Sequence, residues 1–226
     1  MYQTINIFPT TIYVGELENH VHYKKKFYDV DSEFNYRNSQ WDVTSENTFD
    51  SFIHLNQSLD SLFSEIVLHI KKYILDVLEY KDIFEIVITK TWLSRARQAE
   101  DEIKWHNHST SHISFSYYID TPPNSHCIKF LNPHNLNSLF PGNNTSTIKS
   151  SVEKYNELNS STYHINPKEG SIILFPSSLR HRTEKVSDDI QGERLAIIGD
   201  VTLVLKENNL GYSQGYINPK YWKLYS

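Results

Sequence analysis

The chain has 226 residues and a mass of 26.5 kDa, which suits one domain over residues 1–226 with a substantial core. Its 22 basic and 27 acidic residues give a formal net charge of −5, so the composition does not indicate a nucleic-acid partner. The single Cys127 excludes an internal disulfide framework, and no apolar run approaches the ~20 residues of a membrane helix. We therefore expect a cytoplasmic protein without a membrane partner.

The first third of the chain carries helix patterns after one segment that resembles a strand. Residues 4–17 alternate like a strand, which Pro9 confines to a sheet edge because proline cannot donate a ladder hydrogen bond. Residues 19–34 are polar and predict a short helix with a solvated face, and residues 37–51 predict a loop. Residues 52–78 predict the clearest helix, since apolar residues recur there at steps of three and four.

From Phe84 onward the pattern changes to a period of two, which is typical of β-strands. Helices followed by many strands favour an α+β, mainly β fold, in which a β-sandwich or barrel is backed by helices. The predicted strands cover residues 84–97, 113–119, 127–133, 163–167, 171–176, 181–186 and 194–206.

Two segments lie outside this strand pattern. Residues 132–162 are rich in Asn and Ser and have no periodic signal, so we expect a mobile lid over a binding pocket. The segment after Lys206 is rich in aromatic residues, and so much aromatic surface predicts docking or a partner, such as a second copy in a homodimer. Its aromatic residues are Tyr212, Tyr216, Tyr221, Trp222 and Tyr225.

The functional signal lies in three places that separate strands could bring together. His106 and His108 precede a strand pattern, and in an extended segment their side chains point to one side while Asn107 points away. His181 follows a second apolar run, and Arg194 begins the last predicted strand. Because the chain has 11 histidines, an H-x-H pair is common by chance, and its context carries more weight than its spacing. The hypothesis is a metal site with three histidines.

Several short motifs along the chain support this hypothesis by their order. They are Phe8-Pro9-Thr10 with Ile12, His106-Asn107-His108, Ser114 with Tyr117-Tyr118, Gly170 with Phe175-Pro176 and His181, and Arg194. This order resembles the Fe(II)- and 2-oxoglutarate-dependent oxygenases, in particular a group found in marine phages and bacteria. The resemblance covers nearly the whole chain. It implies a double-stranded β-helix, or distorted jelly roll, backed by helices, and a location in the host cytoplasm for a phage-encoded protein.

Two residues depart from the pattern of this group. Ser109 stands where the group usually has proline, and Phe115 stands where it usually has glycine. A bulky ring in place of glycine on a core strand predicts a reshaped pocket. The substrates of relatives therefore do not predict the substrate of this chain.

The resemblance implies that His106, His108 and His181 are catalytic residues that bind Fe(II). The usual ligands of non-haem iron are two histidines and one carboxylate, and His108 occupies the carboxylate position. A second interpretation leaves His108 outside the coordination sphere and makes Asp101 or Glu102 the third ligand.

For the co-substrate 2-oxoglutarate, the resemblance implies binding by Arg194, whose guanidinium can donate two parallel hydrogen bonds to the far carboxylate. Tyr117 and Tyr118 alternate across their strand, so one of them faces the pocket, and we assign Tyr117 to the co-substrate. The alternative for Arg194 is a solvent-facing side chain, or one paired with an acidic residue, Glu193 or Asp200.

The activity that the resemblance implies is that of a dioxygenase. It would use Fe(II), 2-oxoglutarate and O2, and would couple the decarboxylation of 2-oxoglutarate to hydroxylation of an unidentified small-molecule or peptide substrate. Two other classes stay open: a zinc hydrolase with three histidine ligands, and a catalytically inactive β-sandwich that serves in binding or assembly.

Overall fold

The computed structural model describes residues 3, 5–38, 45–48, 51–97, 101–134, 152–190, 192–212 and 215–225. Within these ranges the chain forms two α-helices, His20–Val30 (α1) and Asp60–Lys71 (α2), and ten β-strands. The strands are Tyr13–Glu16 (β1), Tyr36–Asn38 (β2), Glu46–Thr48 (β3), Phe84–Ala96 (β4), Ile113–Asp120 (β5), Cys127–Leu131 (β6), Thr162–Ile165 (β7), Ser171–Pro176 (β8), His181–Glu184 (β9) and Arg194–Leu205 (β10). No helix in this part of the chain is long and apolar enough to cross a membrane.

A seven-stranded antiparallel sheet forms the centre of the fold, with the strand order β1-β8-β5-β10-β4-β3-β2. The last strand, β10, lies between β4 and β5, and it pairs with β4 from Arg194 opposite Ala96 to Leu205 opposite Phe84. Residues that are distant in the sequence therefore meet along β10.

A smaller sheet, with the order β7-β6-β9, packs against one face of the large sheet. The segment at residues 103–106 extends it, because His106 and His181 form an antiparallel bridge and the amide of Thr183 donates to the carbonyl of Ile103 at 3.1 Å. Four strands of the large sheet, β8-β5-β10-β4, thus face four segments of the smaller one. This arrangement is the predicted double-stranded β-helix.

Side-chain alternation along the strands divides the core into two layers. On β5, Phe115 and Tyr117 belong to the apolar cluster under the helices, whereas Tyr118 belongs to the cluster between the two sheets. On β10, Leu195 faces the helices and Ala196 faces the smaller sheet. Even-numbered residues of both strands therefore point into the space between the sheets.

The helices cover the outer face of the large sheet through residues at helical spacing. The buried residues are Tyr23, Phe27 and Val30 on α1, and Leu62, Phe63, Ile66, His69 and Ile70 on α2. The predicted helix over residues 52–78 is shorter than expected, because two 3-10 turns precede Asp60 and a π-helical turn, Lys72–Val77, follows α2. Asn56 caps the second 3-10 turn by accepting a hydrogen bond from the amide of Ser58 at 3.0 Å.

The N-terminal half differs from the sequence expectation in one further respect. Residues 37–51 were expected to form a loop, but β2 and β3 pair there, and Asn47 of β3 lies opposite Ser94 of β4. These short edge strands are polar and pair through backbone atoms, so they leave no apolar alternation in the sequence. The expected edge strand over residues 4–17 is confirmed in its second part, as β1.

Two expectations remain predictions. Most of the expected lid, residues 135–151, lies outside the described residues. The C-terminal aromatic side chains are exposed, with Trp222 at 63% and Tyr225 at 80%, and the homodimer expected through them stays a prediction.

Phe115 does not line the space between the sheets, contrary to the expectation of a reshaped pocket. Its ring lies on the helix side, opposite Gly199 of β10, and is fully buried. A Cβ atom on Gly199 would lie 2.4 Å from Cε1 and Cζ of this ring, which is closer than non-bonded carbon atoms approach. The absence of a side chain at Gly199 therefore makes the space that the Phe115 ring fills.

This pairing predicts how the two positions contribute to stability. We expect Gly199→Ala to lower the free energy of unfolding by about 1–3 kcal/mol through overpacking. Phe115→Ala should lower it by about 3–5 kcal/mol through the cavity that it leaves. In the double variant the added methyl group occupies part of that cavity, so the loss should be smaller than the sum of the single losses. Denaturant unfolding of the four proteins measures this coupling.

Gly211→Ala is the matched control, because a Cβ atom there would meet nothing within 4 Å. Its free energy of unfolding should change by no more than about 1 kcal/mol. Additive losses at Phe115 and Gly199 would show that the two residues do not share one packing site.

Candidate active site

Three histidine side chains converge at one end of the space between the sheets. His181 begins β9, and His106 lies opposite it, joined by two backbone hydrogen bonds of 3.0 and 2.9 Å. His108 lies two residues further on, in an irregular segment rather than a strand, and its amide donates to the carbonyl of Ser177 at 2.9 Å. One ligand nitrogen from each ring lies within 4.8 Å of the others.

The hydrogen bonds of the three rings leave the same atom free in each case. Nδ1 of His106 donates to the carbonyl of Lys104 at 2.8 Å, and Nδ1 of His181 donates to the carbonyl of Leu179 at 2.9 Å. Nδ1 of His108 faces Oδ1 of Asp200 at 2.5 Å. Since these acceptors place the proton on Nδ1, each Nε2 keeps a lone pair for a metal ion.

Burial keeps two of these rings neutral. Removal from water lowers the pKa of His106, and it lowers the pKa of His181 to about 3, with the neighbouring His106 contributing in the same direction. A metal ion binds neutral imidazole, so these side chains are ready to act as ligands without losing a proton at neutral pH.

A polar network surrounds the third ring, His108. Oγ of Ser114 lies 3.0 Å from Nδ1 of His108, 3.1 Å from Oδ1 of Asp200 and 2.9 Å from Oγ of Ser177. Burial alone would raise the pKa of the Asp200 carboxyl, but the hydrogen bonds from His108 and Ser114 outweigh it and hold this pKa below its ordinary value. Asp200 is therefore a buried carboxylate that contacts one of the three imidazoles.

The carboxylates considered as alternative ligands point elsewhere. Asp101 is buried and accepts a hydrogen bond from the amide of Arg97 at 2.7 Å. Glu102 accepts one from the amide of Lys185 at 2.9 Å. Among the described residues, neither belongs to the group that could hold a metal ion, which consists of the three histidines.

Arg194 lies between the sheets, on the face of β10 that also carries Asp200. It is 2% exposed, and its Cζ lies 5.2 Å from the centre of the Tyr118 ring. By hydrogen-bond geometry, Nε of Arg194 and the hydroxyl oxygen of Tyr118 have no partner within the described residues, although the hydroxyl group lies close enough to the guanidinium to interact with it. A buried cation with an unsatisfied Nε is costly without an anion, so Arg194 together with Tyr118 fits a carboxylate ligand.

The two acidic residues that were considered as partners of Arg194 are engaged elsewhere. Glu193 forms ion pairs with Arg95 at 3.1 Å and with Arg97 at 2.8 Å, and Asp200 contacts His108. These contacts also give Arg95 and Arg97 partners within the chain. Arg194 differs from them because it enters the space between the sheets.

Tyr117, the other expected co-substrate residue, is not brought to this space. It lies in the cluster under the helices, and its hydroxyl group is 2.7 Å from Nδ1 of His20 on α1. The Nε2 atom of His20 lies 3.1 Å from Oε1 of Glu169, so Tyr117 helps attach α1 to the sheet. Tyr118, its neighbour on the opposite face of β5, takes its place beside Arg194.

Comparison with known proteins agrees with this geometry. Residues 90–200 match the family model described as "Putative 2OG-Fe(II) oxygenase", and this segment contains the three histidines, Arg194, Tyr118 and Asp200. No curated protein has a sequence that matches the chain significantly. Residues 90–200 are therefore similar to the 2OG-Fe(II) oxygenase family, whose members use Fe(II), 2-oxoglutarate and O2.

Solved structures of low sequence identity share the fold. One is HygX from Streptomyces hygroscopicus with nickel, 2-oxoglutarate and hygromycin B bound (TM-score 0.54, 11% identity, 92% of each chain covered). Another is a prolyl hydroxylase from Trichoplax adhaerens in complex with a peptide fragment (0.53, 11%, 90% of this chain and 87% of that chain). A third is the epimerase SnoN from nogalamycin biosynthesis (0.55, 12%, 90% and 83%).

The residues present fit the cofactors of this family. Three imidazoles with free Nε2 atoms suit Fe(II), and they leave coordination positions for a co-substrate and oxygen. The buried Arg194 and the neighbouring Tyr118 suit the far carboxylate of 2-oxoglutarate. Sequence reasoning chose Tyr117 instead of Tyr118 from the alternating pair, and it considered Asp200 only as a partner of Arg194, so it missed the contact of Asp200 with His108.

We expect each of His106→Ala, His108→Ala and His181→Ala to weaken binding of Co(II), which tolerates oxygen better than Fe(II), by at least about 100-fold. Loss of groups that only contact a ligand costs about 10-fold to 100-fold, and loss of a ligand should cost more. Titration calorimetry measures the dissociation constants. His164→Ala, on an exposed position of β7, is the control and should bind as the parent does. Parent-like affinity in His108→Ala would remove His108 from the ligand set.

Proposed function

We propose that this protein is a non-haem Fe(II) dioxygenase that couples oxidative decarboxylation of 2-oxoglutarate to hydroxylation of a substrate. The observation that carries the proposal is the presence of two separate features in the same space between the sheets. Three imidazoles with free Nε2 atoms lie at one end of the space between the sheets, and the buried Arg194, whose Nε has no hydrogen-bond partner among the described residues, lies further along it. A metal site alone would suit a zinc hydrolase, whereas the second feature calls for an anionic co-substrate.

In this proposal His106, His108 and His181 hold the metal, and Arg194 with Tyr118 holds the far carboxylate of 2-oxoglutarate. When bound, the metal with 2-oxoglutarate and O2 supplies the oxidising chemistry, which yields succinate, carbon dioxide and an oxidised substrate. The protein orients the groups and excludes water, because the wall between the two ends is apolar. The residues of that wall are Ile128, Phe130, Ile173, Phe175 and Ala196.

Arg194 and Tyr118 act on the co-substrate alone. The guanidinium can donate two parallel hydrogen bonds to one carboxylate, and the Tyr118 hydroxyl group can donate a third. Burial raises the pKa of Tyr118, so the phenol stays protonated and remains a donor at neutral pH. These groups bind and orient 2-oxoglutarate, and they take no part in proton transfer in this proposal.

The proposed substrate is a small molecule or a peptide. The solved structures that share the fold include one with hygromycin B and one with a peptide fragment, which supports both classes equally. They also include an epimerase. An experiment must therefore distinguish hydroxylation of the substrate from its epimerisation.

The direct test is formation of succinate from 2-oxoglutarate by the purified protein, with extracts of candidate substrates and with ¹⁸O₂. We expect succinate to form only with Fe(II) and O2, and the product to carry one labelled oxygen atom in a new hydroxyl group. Hydrolysis without O2 and 2-oxoglutarate would favour the zinc hydrolase. Succinate together with an unlabelled, isomerised product would favour epimerisation.

A second prediction concerns Arg194 and is measured as 2-oxoglutarate binding to Co(II)-loaded protein by calorimetry. Arg194→Ala should weaken binding by at least about 100-fold, because it leaves a buried carboxylate unpaired. Arg194→Lys keeps the charge but loses the second donor, and Tyr118→Phe loses one hydrogen bond, so each should cost about 10-fold.

Arg97→Ala is the matched control, since this half-exposed arginine also pairs with a carboxylate but lies outside the space between the sheets. It should leave 2-oxoglutarate binding unchanged, and Co(II) affinity should stay near that of the parent in all four variants. If Arg194→Ala binds 2-oxoglutarate as the parent does, Arg194 has no role in co-substrate binding and the dioxygenase proposal loses its main support.

A further inference from the structure

Within the part of the chain that the structure describes, the buried carboxylate of Asp200 forms its ion pair with a proposed metal ligand, His108. It lies on β10, is 4% exposed, and its Oδ1 is 2.5 Å from Nδ1 of His108. A charged carboxylate that is removed from water needs strong hydrogen bonds, and Asp200 receives them from His108 and from Ser114. The contact with His108 is therefore a principal reason why a charge can be buried at this position.

The three imidazoles differ in what supports them. His106 and His181 donate to backbone carbonyls, which are neutral. His108 donates to a carboxylate, and a hydrogen bond to an ionised acceptor is about twice as strong as one between neutral groups. His108 is thus the imidazole whose Nε2 should be the strongest electron donor to a metal ion.

Non-haem iron sites commonly combine two histidines with one carboxylate. Three neutral imidazoles bring no negative charge to the metal. Asp200 supplies a negative charge through its hydrogen bond to His108, without contacting the metal itself. The site therefore has the charge of two histidines and one carboxylate, although its ligands are three histidines.

We propose that Asp200 is a positioning residue of the metal centre, which holds His108 with Nε2 toward the metal and supplies the negative charge that three imidazole ligands lack. This inference rests on the proposed metal centre. The surrounding contacts fix the carboxylate, because Ser114 donates to it and is itself hydrogen-bonded to Ser177. The carbonyl of Ser177 accepts from the amide of His108, so one cluster holds both the backbone and the ring of this residue.

The test compares Asp200→Asn, which keeps the size of the side chain and removes its charge, with Asp101→Asn. Asp101 is the matched control, because it is equally buried at 4% and accepts a hydrogen bond from a backbone amide, but contacts none of the three histidines. We expect the dissociation constant for Co(II) to rise by about 10-fold to 100-fold in Asp200→Asn, and to stay at the parent value in Asp101→Asn.

The visible absorption spectrum of bound Co(II) separates positioning from a general loss of stability. It should change in Asp200→Asn, because His108 becomes a weaker and less fixed donor, and it should be unchanged in Asp101→Asn. Parent-like affinity and spectrum in Asp200→Asn would overturn the inference and leave the metal centre intact. Failure of the parent protein to bind Co(II) would instead overturn the proposed metal centre, and this inference with it.

A measurement on the parent protein covers the case in which Asp200→Asn does not fold. In ¹⁵N-histidine-labelled protein loaded with Zn(II), the Nδ1 proton of His108 should resonate furthest downfield of the three, because its acceptor is charged. His106 and His181 serve as internal controls, since their acceptors are neutral carbonyls. A His108 proton that resonates with or upfield of the other two would overturn the inference.

Discussion

The candidate active site depends on the pair of backbone hydrogen bonds between His106 and His181. These bonds join the segment before β5 to β9 and place two imidazoles with ring centres 4.3 Å apart. They also add a fourth segment to the smaller sheet, so the same contact closes the end of the sandwich and assembles two of the proposed ligands. A site built in this way requires the fold to form first, because its members are far apart in the sequence.

Polarity changes along the space between the sheets, and this order matters for the chemistry. The end with the histidines is polar, and its hydroxyl groups and carboxylate are hydrogen-bonded to one another. An apolar wall follows, in which the Phe175 ring lies 4.7 Å from the ring of His181. Beyond it lies Arg194, buried with Tyr118. Electrostatic attraction is stronger in such a dry interior than in water, so a few fixed charges can bind a small anion tightly.

The sequence predicted the parts of the structure that periodicity and motifs report. The long strands β4, β5, β8 and β10 were visible as apolar or alternating runs, and the three histidines and Arg194 were visible from their place between those runs. The polar edge strands β2 and β3 were not, because edge pairing through the backbone leaves no apolar pattern.

The choice between Tyr117 and Tyr118 shows a second limit of sequence reasoning. Alternation established that the two face opposite sides of β5, but not which side holds the site, because that depends on where the helices pack. The contact of Asp200 with His108 could not be predicted for a related reason. Asp200 lies in an apolar run, and His108 is 92 residues away in the sequence. Next to Asp200, the register between β4 and β10 shifts by one residue. No sequence pattern predicted this local irregularity.

The two halves of the site are held by shared rigid elements, and this has a consequence for co-substrate selection. β10 carries both Arg194 and Asp200, which contacts the proposed metal ligand His108, and β5 carries both Ser114 and Tyr118. The separation between the metal end and the guanidinium is therefore set by sheet geometry rather than by a loop. An anion that reaches both ends must match this length, because strands in a close-packed sandwich cannot adjust to a shorter or longer ligand at low cost. A buried guanidinium with an unsatisfied Nε is costly, and in the proposed function a dicarboxylate of matching length would offset that cost by accepting hydrogen bonds from Arg194 and Tyr118.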